Sequence, residues 1–244
     1  MNSGIIIKNL TGHTSTIKTL KLFNSSILIS GSEDKTIRMW NLESTQNNQV
    51  KTITESFVIL TLIVISNNLI ACGLESENNI GIWNMNSNTK IQNLYHGVDV
   101  YSLVLLSDRQ LLASGDCTTY IKLWNINNWS LNTTINSGGF RMIRFSNNIL
   151  VFLMSSYSLY VPYGLNSLNL TNYAIRKSTN FEKFTALDLL DNNLITTANE
   201  STYEIKLWIY NNYNSPFKRL KSHSDKITSF SIVDTYPNPV TVTS

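Results

Sequence analysis

Short apolar or alternating runs, each broken by a polar turn, follow one another along the chain. Residues 10–41 show the full pattern. An alternating run at 17–22 is followed by a polar turn, an apolar run at 27–30, an acidic turn and a third run that ends at Trp40. Runs of this length, which are apolar throughout or in which apolar and polar residues alternate, are typical of β-strands and not of helices. The pattern therefore predicts an all-β protein.

The parts of this stretch recur at a spacing of roughly 42 residues, which is the period of a four-stranded propeller blade. We expect five such blades and part of a sixth within a single domain, residues 1–244, because all-β domains of this size are common. An apolar strand at 5–10 precedes the first blade and is predicted to close the last one, which would remove an exposed sheet edge. The predicted blades lie at about 10–54, 55–95, 96–136, 137–177 and 178–221, with a partial blade at 222–244.

Blade four departs from the pattern of the others. A Gly-Gly pair at 138–139 stands where a Gly-His pair is expected, and the third strand at 158–161 meets Pro162 where a Trp is expected. The turn and second strand survive, because the Ser-Asn-Asn-Ile-Leu run at 146–150 matches the Ser-Asn-Asn-Leu-Ile run at 66–70 in type. We expect blade four to keep its register although its signature residues are missing.

Gly12 and His13 precede the first strand of blade one, and Trp40 closes its third strand. With the blade period, these residues make the chain resemble the WD-repeat (beta-transducin repeat) family. The resemblance implies an all-β WD-repeat β-propeller of about five full blades plus half a blade. Either residues 5–10 close a short ring, or the chain is an incomplete ring from a six- to eight-bladed propeller. We expect the second, a fragment of a longer chain, because an unclosed propeller exposes strand edges.

The resemblance also implies a hydrogen-bonded structural tetrad in blade one, made of His13, Ser30, Asp34 and Trp40. A buried indole N–H needs an acceptor, and a carboxylate that accepts from an imidazole offsets part of the cost of burying both. Three of these residues are also the types found in a catalytic triad, but the indole accounts for the same groups and no oxyanion site is evident. The blade-core signature residues elsewhere are Trp83, His96 with Asp116, Trp124, Trp208 and His223.

Each Trp that ends a third strand is followed by a residue other than the Asp that is usual in the family. These residues are Asn41, Asn84, Asn125 and Ile209. Some family members dock onto the adaptor of cullin ubiquitin ligases through a Trp-Asp-x-Arg extension. That extension is absent from all four sites, so this route to ligase membership loses support.

Composition and charge exclude several classes of function. The chain is 42% hydrophobic and 14% charged, as in globular proteins, and its net charge of +3 comes from Lys and Arg scattered without a basic run. A nucleic-acid partner is therefore not expected. Cys72 and Cys117 are the only cysteines and have no C-x-x-C spacing. We predict two buried thiols and no disulfide framework, metal or cofactor.

The sequence shows no targeting segment. The apolar run at 5–7 is too short for a signal peptide, and no stretch approaches the length of a transmembrane helix. We expect an intracellular protein, cytoplasmic or nuclear, without a membrane partner.

The resemblance implies a non-enzymatic protein–protein interaction scaffold that binds partner peptides on the propeller face, as a subunit or adaptor of a larger complex. Acidic residues between second and third strands are candidate contacts and favour basic partners, although solvated turn charges would give the same pattern. Two other readings stay open: a hydrolase-like enzyme built on a propeller, and a non-functional truncated fragment. The candidate partner-binding residues are Glu33, Glu75, Glu77, Asp116 and Glu200.

Overall fold

In the computed structural model, the regular secondary structure of the described residues is almost entirely β-strand, which confirms the all-β prediction. The chain divides into two compact units, Met1–Leu103 and Val104–Ser244. In the described part of the chain, no helix is long and apolar enough to cross a membrane. The structure describes residues 8–44, 49–116, 120–137, 141–155, 162–177, 184–189, 194–199, 201–209, 216–221, 223–225, 227, 230–233 and 240–243.

The first unit contains two four-stranded antiparallel sheets, blades one and two, in which consecutive strands are neighbours. This order follows from the short polar turns between the runs, because a short turn can join only adjacent antiparallel strands. Blade one consists of β1 (Ile17–Leu22), β2 (Ile27–Ser32), β3 (Thr36–Asn41) and β4 (Gln49–Thr54). Blade two consists of β5 (Ile59–Ser66), β6 (Leu69–Leu74), β7 (Asn79–Asn84) and β8 (Thr89–Tyr95).

The second unit contains three further four-stranded sheets and a two-stranded one. Blade three consists of β9 (Ser102–Leu106), which begins just before the unit boundary, β10 (Leu111–Gly115), β11 (Ile121–Asn125) and β12 (Leu131–Ile135). Blade four consists of β13 (Arg141–Ser146), β14 (Ile149–Ser155), β15 (Pro162–Asn169) and β16 (Ile175–Arg176). Blade five consists of β17 (Phe184–Leu189), β18 (Leu194–Asn199), β19 (Glu204–Ile209) and β20 (Lys218–Lys221), and it is followed by β21 (Phe230–Val233) and β22 (Val240–Thr243).

Blades one and two pack face to face through one buried cluster. Ile29, Ile37 and Met39 of blade one meet Leu62 and Cys72 of blade two. Because side chains alternate along a strand, one row of each sheet can face the neighbouring blade. Each fully buried aliphatic side chain contributes about 1.5–3 kcal/mol to the stability of the fold.

On the other face of blade one, the apolar side chains of the first strand are exposed. Leu20 is 54% exposed and Leu22 is 62% exposed. They alternate with Thr19 along β1, so they lie on the face turned away from blade two. Whether the chain is an incomplete ring stays a prediction.

Blade four is packed on both of its faces. Phe152 and Leu168 lie in a buried cluster with residues of blade three, and Val151 and Leu153 lie in a second cluster with residues of blade five. The guanidinium of Arg109, in the turn of blade three, donates to the carbonyls of Asn147 at 3.0 Å and Leu170 at 3.2 Å. These contacts keep blade four in place although its signature residues are missing.

The third strand of blade four differs from the sequence prediction. It is β15, which begins at Pro162, and residues 158–161 lie outside the described residues. Leu168 pairs with Leu150 as Trp40 pairs with Leu28, so Leu168 and not Pro162 occupies the Trp position. Alignment by spacing fails because the chain uses more residues between the second strand and this position than in the other blades.

The predicted closing strand at 5–10 is also corrected in part. Residues 5–7 lie outside the described residues, and residues 8–10 are not in a strand. The Lys8 ammonium instead donates to the carbonyls of Leu42, at 2.7 Å, and Ser44. This end of the described chain is therefore fixed to the turn after β3.

Candidate functional site

Blade one contains four side chains that hydrogen-bond to one another. His13 precedes β1, Ser30 lies on β2, Asp34 lies in the turn after β2, and Trp40 lies on β3. Nδ1 of His13 is 2.8 Å from Oδ2 of Asp34, and Nε2 is 2.6 Å from Oγ of Ser30. Nε1 of Trp40 donates to the same Ser30 oxygen at 2.8 Å. The contacts tie the entry of the blade to its second and third strands.

Ser30 lies at the centre of these contacts and is 1% exposed. When His13 carries its proton on Nδ1 and donates it to Asp34, Nε2 is left as an acceptor. The Ser30 hydroxyl then donates to that nitrogen while its oxygen accepts from Trp40. A nucleophilic serine must reach a substrate carbonyl, and this buried oxygen has no such access. The geometry suits a structural tetrad and not a catalytic triad.

The Asp34 carboxyl group has a strongly shifted pKa. Burial alone would raise the pKa, but hydrogen bonds outweigh burial and hold the pKa of Asp34 well below its ordinary value. The donors are the Thr36 hydroxyl at 2.6 Å, the ring of His13, and the backbone N–H groups of Thr14 and Thr36. The carboxylate is charged at neutral pH and fixes the turn between β2 and β3.

Blade two has a buried carboxylate where blade one has its imidazole. Glu55 precedes β5 by the same number of positions as His13 precedes β1. Nε1 of Trp83 donates to Oε1 of Glu55 at 2.6 Å, and the Cys72 thiol donates to the same oxygen at 3.6 Å. Burial, together with the charge of Glu55, raises the pKa of Cys72, so the thiol keeps its proton. The sequence prediction missed Glu55 because it looked for His at this position.

Lys90 on β8 neutralises this carboxylate. Its Nζ lies 2.7 Å from Oε2 of Glu55 and 5.5 Å from the centroid of the Trp83 ring. The Glu55 side chain is 2% exposed and the Lys90 side chain is 25% exposed. Gly81 leaves room for the carboxylate, since a Cβ there would lie 2.9 Å from Oε1 of Glu55 and 3.0 Å from Sγ of Cys72. The identities of Glu55, Lys90 and Gly81 therefore depend on one another.

Blade three repeats part of the arrangement in blade one. Nε1 of Trp124 donates to Oγ of Ser114 at 2.8 Å. The ammonium of Lys122 lies 5.8 Å from the Trp124 ring centroid, and burial lowers the pKa of Lys122 while the charge of Asp116 opposes the shift. In the first unit, His96 is fully buried. Trp124, Ser114 and His96 thus have the low exposure expected of blade-core residues.

Asp116 is a blade-core residue as well. It is 1% exposed, and its carboxylate accepts from the backbone N–H of Tyr120 at 2.8 Å. A buried carboxylate must be satisfied inside the protein, and Asp116 is, so it offers no surface to a partner. This corrects the expectation that Asp116 is a partner-binding residue.

Blades five and four differ in the residue at the second-strand position that Ser30 occupies in blade one. In blade five, Nε1 of Trp208 donates to Oγ1 of Thr197 at 2.8 Å. In blade four, Phe152 and Leu168 stand at the hydroxyl and Trp positions, and both are fully buried. Replacing both members of a hydrogen-bonded pair by apolar side chains leaves no polar group unpaired. Blade four has therefore lost the hydroxyl and the indole together, so that neither is left without its partner.

His223 is exposed, which corrects its predicted place in a blade core. The described part of the sheet that follows it contains β21 and β22, and this part has no third-strand Trp to cover an imidazole. Glu200 and Cys117 lie outside the described residues.

The Asn residues that follow the Trp residues start the turns into the fourth strands. Oδ1 of Asn41 accepts from the N–H of Glu43 at 2.8 Å and of Ser44 at 3.1 Å. Asn84 and Asn125 accept in the same way from the residue two positions further on, at 2.9 and 2.8 Å. These are Asx turns, which Asp and Asn form for the same reason. The change from Asp to Asn therefore leaves the local structure intact.

The acidic turn of blade one is neutralised. Oε1 of Glu33 lies 2.6 Å from Nζ of Lys18, and Oε2 accepts from the Ser15 hydroxyl at 3.2 Å. The hydrogen bond from Lys18 is the main reason that the pKa of Glu33 lies below its ordinary value. The salt bridge is partly exposed and leaves little free charge at this turn.

The acidic turn of blade two, residues 75–78 between β6 and β7, carries two carboxylates, and a third from the segment before β9 is bonded to it. Glu75 and Glu77 flank Ser76, whose backbone N–H donates to Oδ1 of Asp99 at 2.6 Å. Within the described ranges, no Lys, Arg or His forms an ion pair with any of the three. Oε2 of Glu77 is buried and has no hydrogen-bond partner there. This turn therefore concentrates negative charge that the fold does not neutralise.

The same turn is held firmly by the backbone. The N–H of Glu75 donates to the carbonyl of Val58 at 3.0 Å. The carbonyl of Asn78 accepts from the N–H groups of His96 at 2.8 Å and Gly97 at 3.0 Å.

Among the described residues, no group of three or more His, Cys, Asp or Glu side chains is placed to hold a metal ion.

Two segments of the chain match the family model described as WD domain, G-beta repeat. The matched residues are 4–41 and 88–125. The first segment contains His13, Ser30 and Trp40, and the second contains His96 and Trp124. The match thus covers the two stretches in which a His precedes the strands and a Trp ends the third strand.

Two known proteins are similar to parts of the chain. Apoptotic protease-activating factor 1 of Homo sapiens is 27% identical over 123 residues, which is 50% of this chain and 10% of that protein. Ribosome biogenesis protein YTM1 of Eremothecium gossypii is 40% identical over 53 residues, which is 22% of this chain and 11% of that protein. The matched segments thus span only about a tenth of the length of either relative.

Proposed function

The chain is a WD-repeat β-propeller protein, and on that premise we propose that it is a non-enzymatic scaffold that binds basic peptide segments of partner proteins. WD-repeat propellers typically serve protein interactions, which supports the scaffold role. The single observation that carries the choice of partner is the acidic turn of blade two. Fold alone does not determine function, so the argument rests on that turn.

Charge is the first reason to choose this turn. Glu75 and Glu77 lie in the turn between β6 and β7, Asp99 of the segment before β9 is hydrogen-bonded to that turn, and no cation of the described chain pairs with any of the three. The whole chain has a net charge of +3, so this turn is a local departure from the average. A concentrated negative charge attracts Lys and Arg side chains and repels acidic segments.

The unpartnered oxygen of Glu77 gives the second reason. Oε2 is buried and accepts no hydrogen bond from the described residues. A carboxylate without an internal donor keeps its negative charge uncompensated by the described residues. That charge adds to the attraction of the turn for Lys and Arg side chains of a peptide.

Rigidity gives the third reason. The carbonyls of Val58 and Asn78 and the carboxylate of Asp99 all accept backbone hydrogen bonds that fix this turn. A pre-organised site loses less conformational entropy when it binds. The turn is therefore better suited to recognition than a loose loop with the same charges.

We extend the proposal to the setting of the protein. It acts as a subunit or adaptor of a larger complex, in the cytoplasm or nucleus, without a nucleic-acid or membrane partner. One relative is named for apoptotic protease activation and the other for ribosome biogenesis. These names point to different processes, so the proposal stops at the chemistry of the partner segment.

The proposal is tested with fluorescently labelled peptides and the full chain. A short Lys- and Arg-rich peptide should bind, whereas a Glu-rich peptide of the same length should not, and binding should weaken as salt is added. The variant Glu75→Lys/Glu77→Lys should lower the affinity roughly 10-fold or more, because each reversed charge both loses an attraction and adds a repulsion.

The matched control is Glu43→Lys. Glu43 lies in the turn after β3, where its carboxylate accepts from the Ser26 hydroxyl at 2.9 Å. Its reversal makes a charge change of the same kind in another turn and should leave the affinity unchanged. Equal loss in both variants, or no loss in Glu75→Lys/Glu77→Lys, would show that the acidic turn of blade two is not the binding site.

A further inference from the structure

The segment that leads into blade two, residues 55–58, runs between the acidic turns of blades one and two. At its start, the N–H of Glu55 donates to the carbonyl of Lys35 at 2.8 Å. At its end, the carbonyl of Val58 accepts from the N–H of Glu75 at 3.0 Å. This linking segment is thus bonded through its main chain to both turns.

The side chain of Glu55 anchors the linking segment in the core of blade two. Its two carboxylate oxygens have different partners: Oε1 accepts from Nε1 of Trp83 at 2.6 Å, and Oε2 pairs with Nζ of Lys90 at 2.7 Å. A carboxylate that is 2% exposed can stay charged only with partners of this kind. Lys90 lies on β8, so the ion pair joins the outermost strand of blade two to the segment between the turns.

The position of this cation differs between blades two and three. In blade three the cation near the Trp ring is Lys122, which lies on the same strand as Trp124. In blade two the corresponding residue is Gly81, opposite Cys72, and the cation near Trp83 comes from the neighbouring strand as Lys90. The exchange moves the positive charge onto the outer strand and makes room for Glu55.

We propose that the Glu55–Lys90 ion pair is a positioning device that, through the linking segment, holds the acidic turn of blade two in a fixed position relative to blade one, so that this turn is ready to bind a basic peptide. This inference rests on the proposed function. Glu55 and Lys90 do not touch the peptide; they act through the linking segment on Lys35 and Glu75. The benefit is pre-organisation, because a turn that is already held in place need not be ordered during binding.

Removing one partner of a buried ion pair is far more harmful than removing both, because one removal leaves a buried charge uncompensated. Lys90→Met should therefore loosen the linking segment, and Lys90→Arg should not, since it keeps the charge. The double variant Glu55→Gln/Lys90→Met has no buried charge and keeps a side-chain oxygen for Trp83, so it should recover much of the loss.

The test is hydrogen–deuterium exchange of the full chain, read at the amides of Glu55 and Glu75. In Lys90→Met, exchange at these amides should accelerate roughly 100-fold relative to the unchanged chain. The reason is that local opening no longer has to break the ion pair between Glu55 and Lys90. Lys90→Arg and the double variant should lie within about 10-fold of the unchanged chain.

The matched control is Lys218→Met. Lys218 is an exposed lysine on β20, the outer strand of blade five. Its loss should leave exchange at both amides unchanged.

Three results of the exchange and folding measurements would overturn the proposal. Exchange at both amides could remain unchanged in Lys90→Met, or it could rise equally throughout blades one and two, which indicates general destabilisation. If Lys90→Met does not fold, the double variant decides: the proposal requires it to fold, and failure to fold contradicts it.

Peptide binding separates this inference from the proposed function. If the unchanged chain binds no basic peptide, the proposed function fails, whatever the exchange data show about the linking segment. If the chain binds the peptide and Lys90→Met accelerates exchange without weakening binding, the positioning role fails and the scaffold function stands. Weaker binding in Lys90→Met, restored in Lys90→Arg, is the result that supports both.

Discussion

Trp40 donates a hydrogen bond from Nε1 to Oγ of Ser30 at 2.8 Å, and both side chains are buried. Ser30→Ala removes the acceptor and leaves the indole N–H unpaired. A buried unpaired donor costs about 1–3 kcal/mol, and we expect the free energy of unfolding, measured with urea, to fall by that amount. The exposed Ser25→Ala is the control and should change stability by less than about 0.5 kcal/mol. Equal stability of the two variants would contradict the structural role of Ser30.

Phe152 should be among the most sensitive positions of blade four. It is fully buried where other blades have a hydroxyl or thiol, and its neighbour at the Trp position is Leu168. Phe152→Ala leaves a cavity, so we expect a loss of about 3–5 kcal/mol in the free energy of unfolding. Phe152→Ser should be no better than Phe152→Ala, because blade four has no indole at this position for the hydroxyl to bond.

The control for that experiment is Leu131→Ala on β12, where the side chain is 46% exposed. This variant should lose less than about 1 kcal/mol, since little apolar surface is buried there. The free energy of unfolding of Phe152→Ser could exceed that of Phe152→Ala by as much as one hydrogen bond contributes. In that case the assignment of Leu168 to the Trp position would be wrong.

Asp34 should make stability depend on pH in the acid range. Its pKa in the folded chain lies below the unfolded-state value, which is about 3.9. A carboxyl group of this kind contributes fully above the unfolded-state pKa, and the contribution is lost as the pH falls through the folded-state pKa. Urea unfolding of the unchanged chain and of Asp34→Asn should show a constant gap between about pH 7 and pH 5 and a narrowing gap below about pH 4. A gap of the same size at every pH would rule out this role.

Asn84 should tolerate Asp but not Ala. Its Oδ1 accepts from the N–H of Asn86 at 2.9 Å and of Ser87 at 3.2 Å, and either an amide or a carboxylate oxygen can do so. We expect Asn84→Asp to lie within about 0.5 kcal/mol of the unchanged chain and Asn84→Ala to lose about 1 kcal/mol. Thermal unfolding of the three chains decides this. A large loss in Asn84→Asp would mean that the residue after the Trp has a role beyond the Asx turn.

The strands were predictable because the hydrophobic pattern that signals them is local. Alternation and turn residues mark β1 to β3, and the repeat period carries the assignment to the other blades. Blade four marks the limit of this reasoning. Counting residues placed Pro162 at the Trp position, but the paired register places Leu168 there, because strand and turn lengths vary and only the pairing partner determines the register.

The tetrad geometry and the blade-two ion pair differ in how far the sequence could predict them. His13 and Asp34 carry residue types that the family resemblance singles out. Glu55 and Lys90 meet only because β8 lies beside β7, and no spacing rule joins two such positions in the sequence. Asp116 shows the opposite error, since a turn carboxylate in the sequence proved to be buried. Burial and cross-strand pairing depend on the tertiary structure, and these were the points that sequence reasoning missed.

The central claim is that the acidic turn of blade two binds basic peptides, and photo-crosslinking tests it most directly. A Lys- and Arg-rich peptide carrying a photoreactive group is bound to the full chain, irradiated, and the crosslinked residues are identified by mass spectrometry. We predict crosslinks concentrated at residues 75–78 and 97–99, suppressed by added salt and by Glu75→Lys/Glu77→Lys. Crosslinks spread over the surface, or concentrated on another blade, would contradict the claim.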